Sequence, residues 1–224
     1  VSFPEQSLFF ALRTKTNDGH KYIPELYKLR VRNFVVSEMP PSTDMYADAN
    51  FLLVKDPLRA LQQLAAHHRK KFEIPVIGIT GSNGKTIVKE WLHQLLSPER
   101  TIVRSPRSYN SQIGVPISVW QMNESTELGI FEAGISEVGE MRALQNIIRP
   151  TIGVLTNIGG AHQENFFSLQ EKCMEKLLLF KDCEVVVYNG DNELLSNCVA
   201  KSMLTAREIA WSCVDMDKPL YISS

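Results

Sequence analysis

An apolar run, Pro75-Val76-Ile77-Gly78-Ile79-Thr80, leads straight into Gly81-Ser82-Asn83-Gly84-Lys85-Thr86, and this junction limits the possible folds more than any other part of the chain. The run reads as a short buried strand. Beyond it, apolar residues at Ile87, Val88, Trp91, Leu92, Leu95 and Leu96 recur at helical spacing and predict one inward helix face. Strand, glycine turn and helix, in that order, make a phosphate-binding loop. Glycines let consecutive N–H groups converge on phosphate oxygens, a lysine ammonium adds charge, and a threonine hydroxyl reaches Mg²⁺. The junction therefore points to an ATP-using enzyme. Its spacing is a variant: the common pattern G-x-x-x-x-G-K-[ST] would place a glycine at position 79, where this chain has Ile79, with Gly78 one residue earlier.

The rest of the sequence fits around this unit as an α/β protein. Strand-like runs at 8–12, 33–37 and 51–54 alternate with helical stretches at 22–30 and 57–68, which predicts a small α/β domain over residues 1–72. Pro57 suits a first helical position after Asp56, and Leu58, Leu61, Leu64 and Ala65 give that helix an inward face. The cluster His67-His68-Arg69-Lys70-Lys71 reads as a solvated helix end or linker. A second domain over 73–224 carries strands at 75–80, 101–104, 128–133, 151–156 and 184–188, with helices between them. Ser168-Leu169-Gln170-Glu171 is a capping box that opens a helix through Phe180, and Asn189-Gly190-Asp191 turns the chain after a strand. Strands joined by crossover helices make a mainly parallel sheet, which binds ligands beyond the carboxyl ends of its strands. The candidates there are the phosphate loop, Glu132, and Asn157 with His162.

A net charge of -1 argues against a nucleic-acid partner. No stretch approaches the roughly 18 apolar residues of a membrane span, and Leu8–Leu12 is too short for a signal-peptide core, so a cytoplasmic protein without membrane insertion is expected. Cys173, Cys183, Cys198 and Cys213 show no metal-finger spacing and read as reduced thiols, mostly core filler.

Six segments taken together, GITGSNGKTIVKE (78–90), SYNSQIGVP (108–116), IFEAGIS (130–136), RPTIGVLTNIGGAH (149–162), KLLLF (176–180) and NGDN (189–192), resemble the Mur ligases of bacterial cell-wall synthesis. The pairing of GSNGKT-x-VKE with IGVP, and the N-terminal LFFALRTKTNDGHKYI, are most similar to the branch that adds D-Ala-D-Ala to UDP-MurNAc-tripeptide. A folate polyglutamate ligase shares the phosphate loop but not these two features. The resemblance implies an N-terminal UDP-sugar-binding domain, a parallel-sheet P-loop ATPase domain that is incomplete here, and a C-terminal domain of the parent chain that is missing. It therefore predicts an excised fragment that binds nucleotide without turning over alone, from a parent that is in some bacteria fused to an alanine racemase.

The family's reaction activates a carboxylate with ATP as an acyl phosphate, which an amine then attacks. The resemblance assigns ATP and Mg²⁺ as cofactors, and UDP-MurNAc-tripeptide and D-Ala-D-Ala as small-molecule substrates. It places Lys85 at the β/γ phosphates, Thr86 and Glu132 on Mg²⁺, and the amides of Thr80, Gly81, Ser82, Asn83 and Gly84 around the phosphates. It brings His162 to a second metal and makes Lys176 a candidate for carbamylation and metal binding. Asn110 and Ser111 are expected near the substrate or the transferring phosphate. Ser108 and Ser111 depart from a segment that is usually richer in asparagine. Asn189 and Asn192 are candidates for the adenine, or else a plain strand-to-helix turn, and Asn17, Asp18 and His20 are candidates for the UDP-sugar.

Overall fold

A computed structural model describes residues 2–160 and 165–223. The chain forms two compact units, Val1–Leu64 and Ala65–Ser224. The first holds a parallel three-stranded sheet of β1 (Leu8–Phe10), β2 (Asn33–Val36) and β3 (Asn50–Leu53), with β2 in the centre. In register, Phe9 faces Phe34 and Phe34 faces Phe51, whose rings stack at 5.3 Å. Ala11, Ile23, Val31, Phe34 and Val36 form its core. The helical stretch expected at 22–30 is a 3-10 turn, Gly19–Tyr22, followed by α1 (Ile23–Lys28).

Helix α2 (Pro57–Arg69) starts where Asp56 Oδ1 accepts the N–H groups of Leu58 and Arg59, the cap that the Asp-Pro pair predicts. At the far end of α2, His67, Lys70 and Lys71 are exposed as a solvated helix end requires, and Arg69 departs from that reading. Arg69 is buried in the second unit, donating to the carbonyls of Ile148 (2.9 Å), Phe72 (2.6 Å) and Arg149 (3.2 Å). A guanidinium there meets carbonyls left open at a helix C-terminus. In sequence, the division between the two compact units falls within α2.

The second unit contains β4 (Val76–Thr80), α3 (Lys85–Leu96), β5 (Ile102–Arg104), α4 (Gly114–Val119), β6 (Leu128–Glu132), α5 (Glu140–Ile148), β7 (Ile152–Leu155), α6 (Leu169–Leu177), β8 (Val185–Asn189), α7 (Glu193–Lys201), β9 (Arg207–Ser212) and β10 (Leu220–Tyr221). Its sheet is parallel in the order β10-β9-β8-β7-β4-β6-β5. The chain enters at β4, builds β5 and β6 on one side, then crosses to β7 and continues outward. This reversal leaves a crevice at the carboxyl end of β4. Every residue of β4 and β6 is buried, as strands covered on both faces must be.

Helix α3 shows only half of its expected face inward. Val88, Leu92 and Leu96 pack on Ile77, Ile79, Leu128 and Ile130, whereas Ile87, Trp91 and Leu95 are exposed. On the opposite side of the sheet, α6 opens with Ser168 Oγ accepting the Glu171 N–H at 3.0 Å. The glutamate reaches back to the N–H of Phe167, one residue before the cap. A 3-10 turn, Leu178–Phe180, follows α6 and seats Leu179 and Phe180 against the sheet. Gly153 makes that possible: a Cβ on it would stand 2.4 Å from the Phe180 ring. Among the described residues, no helix is long and apolar enough to cross a membrane. The four cysteines are free thiols, and only Cys213 is exposed.

Candidate functional site

The loop between β4 and α3 is held open by two glycines, Gly81 at φ +145° and Gly84 at φ +81°. Its floor is the segment after β7. Asn157 accepts the Ser82 N–H through its carbonyl (2.8 Å) and the Asn83 N–H through Oδ1 (2.9 Å). Thr156 Oγ1 donates to Asn83 O at 2.6 Å, and the Gly159 N–H donates to Ser82 Oγ at 2.9 Å. The amides of Ser82 and Asn83, expected to cradle phosphate, are therefore already engaged. The N–H groups that an α-helix leaves without an intrahelical partner lie in the first turn of α3, from Lys85. Thr80 is buried, and its hydroxyl donates to Ala133 O at 2.8 Å.

Lys85 and Thr86 open α3 at the mouth of the crevice. Lys85 Nζ donates to Gly81 O at 2.8 Å, so the ammonium rests on its own loop. Burial lowers its pKa foremost; the Glu132 carboxylate opposes that and Lys172 adds to it. At the end of β6, Glu132 is fully buried. Its Oε2 accepts from Thr86 Oγ1 (3.0 Å) and Asn110 Nδ2 (3.4 Å), and Ser108 Oγ lies 3.4 Å from Thr86 Oγ1. Oε1 is buried without a hydrogen-bond partner. A threonine hydroxyl, a carboxylate and an amide thus converge from three segments far apart in sequence.

Across the crevice α6 presents Lys172 and Lys176, four residues apart on one face and both buried. Lys172 Nζ donates to Gly159 O at 2.7 Å. Burial lowers its pKa. Lys176 is pushed down to about 7, by burial foremost and then by the ammoniums of Lys85 and Lys172. A sequence view of Lys176 as an ordinary helix lysine would put it on the surface, yet it is 2% exposed. From about pH 7 up to the usual 10.5, the unfolded chain holds a proton at Lys176 that the folded chain has released. Its contribution therefore makes stability rise with pH across that window and leaves it flat below. Lys176→Met is expected to reduce the gain between pH 7 and pH 9 in denaturant titrations. An unaltered gain would show that the ammonium is not held under strain.

Other expected residues separate from this cluster. Ser111 Oγ accepts the Gly114 N–H at 3.2 Å, which is work at the start of α4. Asn189 Oδ1 accepts the Asp191 N–H (2.8 Å), and Asn192 caps α7 through Leu195 N (3.1 Å), so both amide oxygens serve the turn after β8. In the first unit, Asp18 accepts from Arg13 Nε (2.8 Å) and lies 2.6 Å from His20 Nδ1, while His20 Nε2 accepts the Ser37 N–H at 3.0 Å. Tyr22 OH donates to Asn17 Oδ1 at 3.2 Å. The His20 and Arg13 partners hold the Asp18 carboxyl far below its usual range. His162 lies outside the described residues. Lys172 and Lys89 are buried lysines that the sequence alone does not single out. Each stands four residues from a lysine that was found, and that spacing was the available signal.

Residues 79–212 match the model of the Mur ligase middle domain. The chain is 33% identical over 196 residues to the UDP-N-acetylmuramoyl-tripeptide--D-alanyl-D-alanine ligase of Bacillus subtilis, covering 86% of this chain and 42% of that protein. It is 36% identical over 193 residues to the ligase of the same name from Borreliella burgdorferi, with 84% and 42% covered. The crystal structure of MurF ligase from Thermotoga maritima in complex with ADP superposes with a TM-score of 0.81 at 26% identity, over 94% of this chain and 48% of that one. A MurF structure from Acinetobacter baumannii shares the fold at a TM-score of 0.84 and 22% identity, with 92% and 45% covered. The chain thus spans less than half the length of the curated relatives it matches. With the phosphate loop, Glu132 and the α6 lysines all inside the matched segment, the 224 residues belong to the Mur ligase family and carry its middle domain.

Proposed function

We propose that this chain is the nucleotide-handling part of an ATP-dependent amide ligase of peptidoglycan precursor synthesis, which joins D-Ala-D-Ala to UDP-MurNAc-tripeptide. The observation that carries the reading is the convergence of Lys85, Thr86, Glu132 and Asn110 at the carboxyl ends of β4 and β6. Passing a phosphoryl group to a carboxylate crowds anionic oxygens together, so cations and oriented dipoles supply the stabilisation. Lys85 leaves Gly81 O for the β/γ phosphates, and the N–H groups of the first turn of α3 complete the cradle. Lys172 and Lys176 line the opposite wall, where the Lys172 ammonium neutralises charge on the transferring group. The name shared by the relatives from Bacillus subtilis and Borreliella burgdorferi supports the choice of substrates. A cytoplasmic location and the first unit as the UDP-sugar domain belong to the same reading.

The residues at Glu132 fit Mg²⁺: the carboxylate Oε2 and the Thr86 hydroxyl, 3.0 Å apart, are a hard-donor set for a small hard cation. When bound, that ion would neutralise and align phosphate oxygens. Thr86 and Glu132 would hold it, and His162 remains a candidate for a second ion. Lys176 near neutrality supplies the uncharged amine that carbamylation needs, and the carbamate would add a further carboxylate ligand.

Calorimetric titration of the 224-residue chain with ADP tests the reading. Binding is expected to strengthen when Mg²⁺ is added, and Glu132→Ala to remove that gain. The chain extended to the length of its relatives should release phosphate from ATP only when UDP-MurNAc-tripeptide and D-Ala-D-Ala are both present. Equal release with a folate and glutamate would overturn the substrate assignment.

A further inference from the structure

Lys89 stands one helical turn beyond Lys85 on α3 and has no exposed surface. Burying an ammonium is costly unless its charge and all its protons find partners. Its Nζ donates to Ser105 O at 2.8 Å and to Arg107 O, and lies 3.0 Å from Glu90 Oε1 and 3.1 Å from Glu132 Oε1. The two carbonyls take two of its N–H bonds, and the two carboxylates share its charge. Glu132 Oε1 is left beside the charge without a hydrogen bond, which explains a buried oxygen that is paired in charge and unpaired in protons. Glu90 is itself matched by Arg104 Nη2 at 3.2 Å, so Arg104, Glu90, Lys89 and Glu132 alternate in sign from the rim of the site to its floor.

We infer that Lys89 is a positioning residue for Glu132, an internal cation that fixes this carboxylate for the metal. It acts on both sides of that group. Its charge faces Oε1, and its hydrogen bonds pin the Ser105–Arg107 segment, from which Asn110 follows to reach Oε2. Fully buried among these partners, Lys89 has no surface to offer a substrate. The inference rests on the reading of Glu132 as the Mg²⁺ ligand, and two experiments separate the ideas.

The first is the gain in ADP affinity on adding Mg²⁺, measured by calorimetry for the unaltered chain, Glu132→Gln and Lys89→Met. Lys89→Met is expected to cut that gain by roughly ten- to a hundredfold, as loss of a ligand-orienting contact does, while leaving affinity without Mg²⁺ nearly unchanged. No gain in the unaltered chain would defeat the metal reading, and this inference with it. A gain lost in Glu132→Gln yet kept in Lys89→Met would overturn the role of Lys89 alone. The second is a thermal double-mutant cycle, which also covers the case in which Lys89→Met does not fold. Lys89→Met combined with Glu132→Gln removes both members of the buried pair and should be more stable than Lys89→Met alone. A double variant no more stable than Lys89→Met would mean that the lysine serves the loop carbonyls only, and the pairing would fall.

Discussion

Lys85→Ala is expected to weaken ADP and ATP binding by roughly ten- to a hundredfold, the loss of one hydrogen bond to a charged group in a site shielded from water. Titration of the purified chain measures this directly. The ammonium now rests on Gly81 O, in a pocket where burial and Lys172 already press against its charge. A phosphate relieves both penalties at once, and for that reason the effect should exceed that of removing an exposed surface lysine. Lys85→Arg should recover little, because a planar fork does not replace a compact ammonium inside a tight loop. An alanine variant with unaltered affinity would remove this loop from nucleotide binding altogether.

Gly81→Ala should do comparable damage to binding by a different route. The residue sits at φ +145°, and a Cβ there would stand 2.0 Å from Thr156 Oγ1 and 3.0 Å from both the nitrogen and oxygen of Asn157. The backbone strain alone costs about 1–3 kcal/mol. The side chain that must move, Thr156, is the one that donates to Asn83 O, and the backbone that must move accepts the Ser82 amide. Gly84→Ala supplies the internal control. Its φ is +81°, but the nearest atom to its Cβ is Thr156 Cβ at 3.9 Å, so strain is present without a clash. Thermal unfolding and ADP titration of the pair should place Gly81→Ala well below Gly84→Ala in both. Equal effects would mean that contact with the Thr156–Asn157 segment does not shape the loop.

Much of the second unit was legible because a parallel strand buried on both faces must be apolar throughout. Val76–Thr80 and Leu128–Glu132 stand out from their surroundings for that reason. Strands β9 and β10 did not, since Arg207-Glu208 begins one and the other is two exposed residues. The apolar stripe of α3 was visible but its direction was not: six residues fit one helical face in projection, and only the sheet decides that Val88, Leu92 and Leu96 are the three that pack. Thr86 and Glu132 stand out as candidates, one from the loop pattern and one from its place at a strand end, and the structure sets their side chains 3.0 Å apart. Lys89, Lys172 and Arg69 were hidden for a common reason. A long cationic side chain reads as surface, and what buries it is a set of carbonyls and carboxylates supplied by segments remote in sequence. The engaged amides of Ser82 and Asn83 were equally invisible, because their acceptor, Asn157, lies some seventy residues away on another strand's exit.

Gly153 lies in β7, against Gly78 of β4, and its missing side chain is the space that the Phe180 ring fills. Phe180 ends the turn that continues directly from α6, so the depth of that ring sets the level at which the whole helix rides on the sheet. Lys172 and Lys176 ride with it. A single methyl group at Gly153, away from any ligand, would act as a shim under α6. The chain would keep its loop and its carboxylate and still hold its lysines at the wrong height, like a vice with one jaw set back.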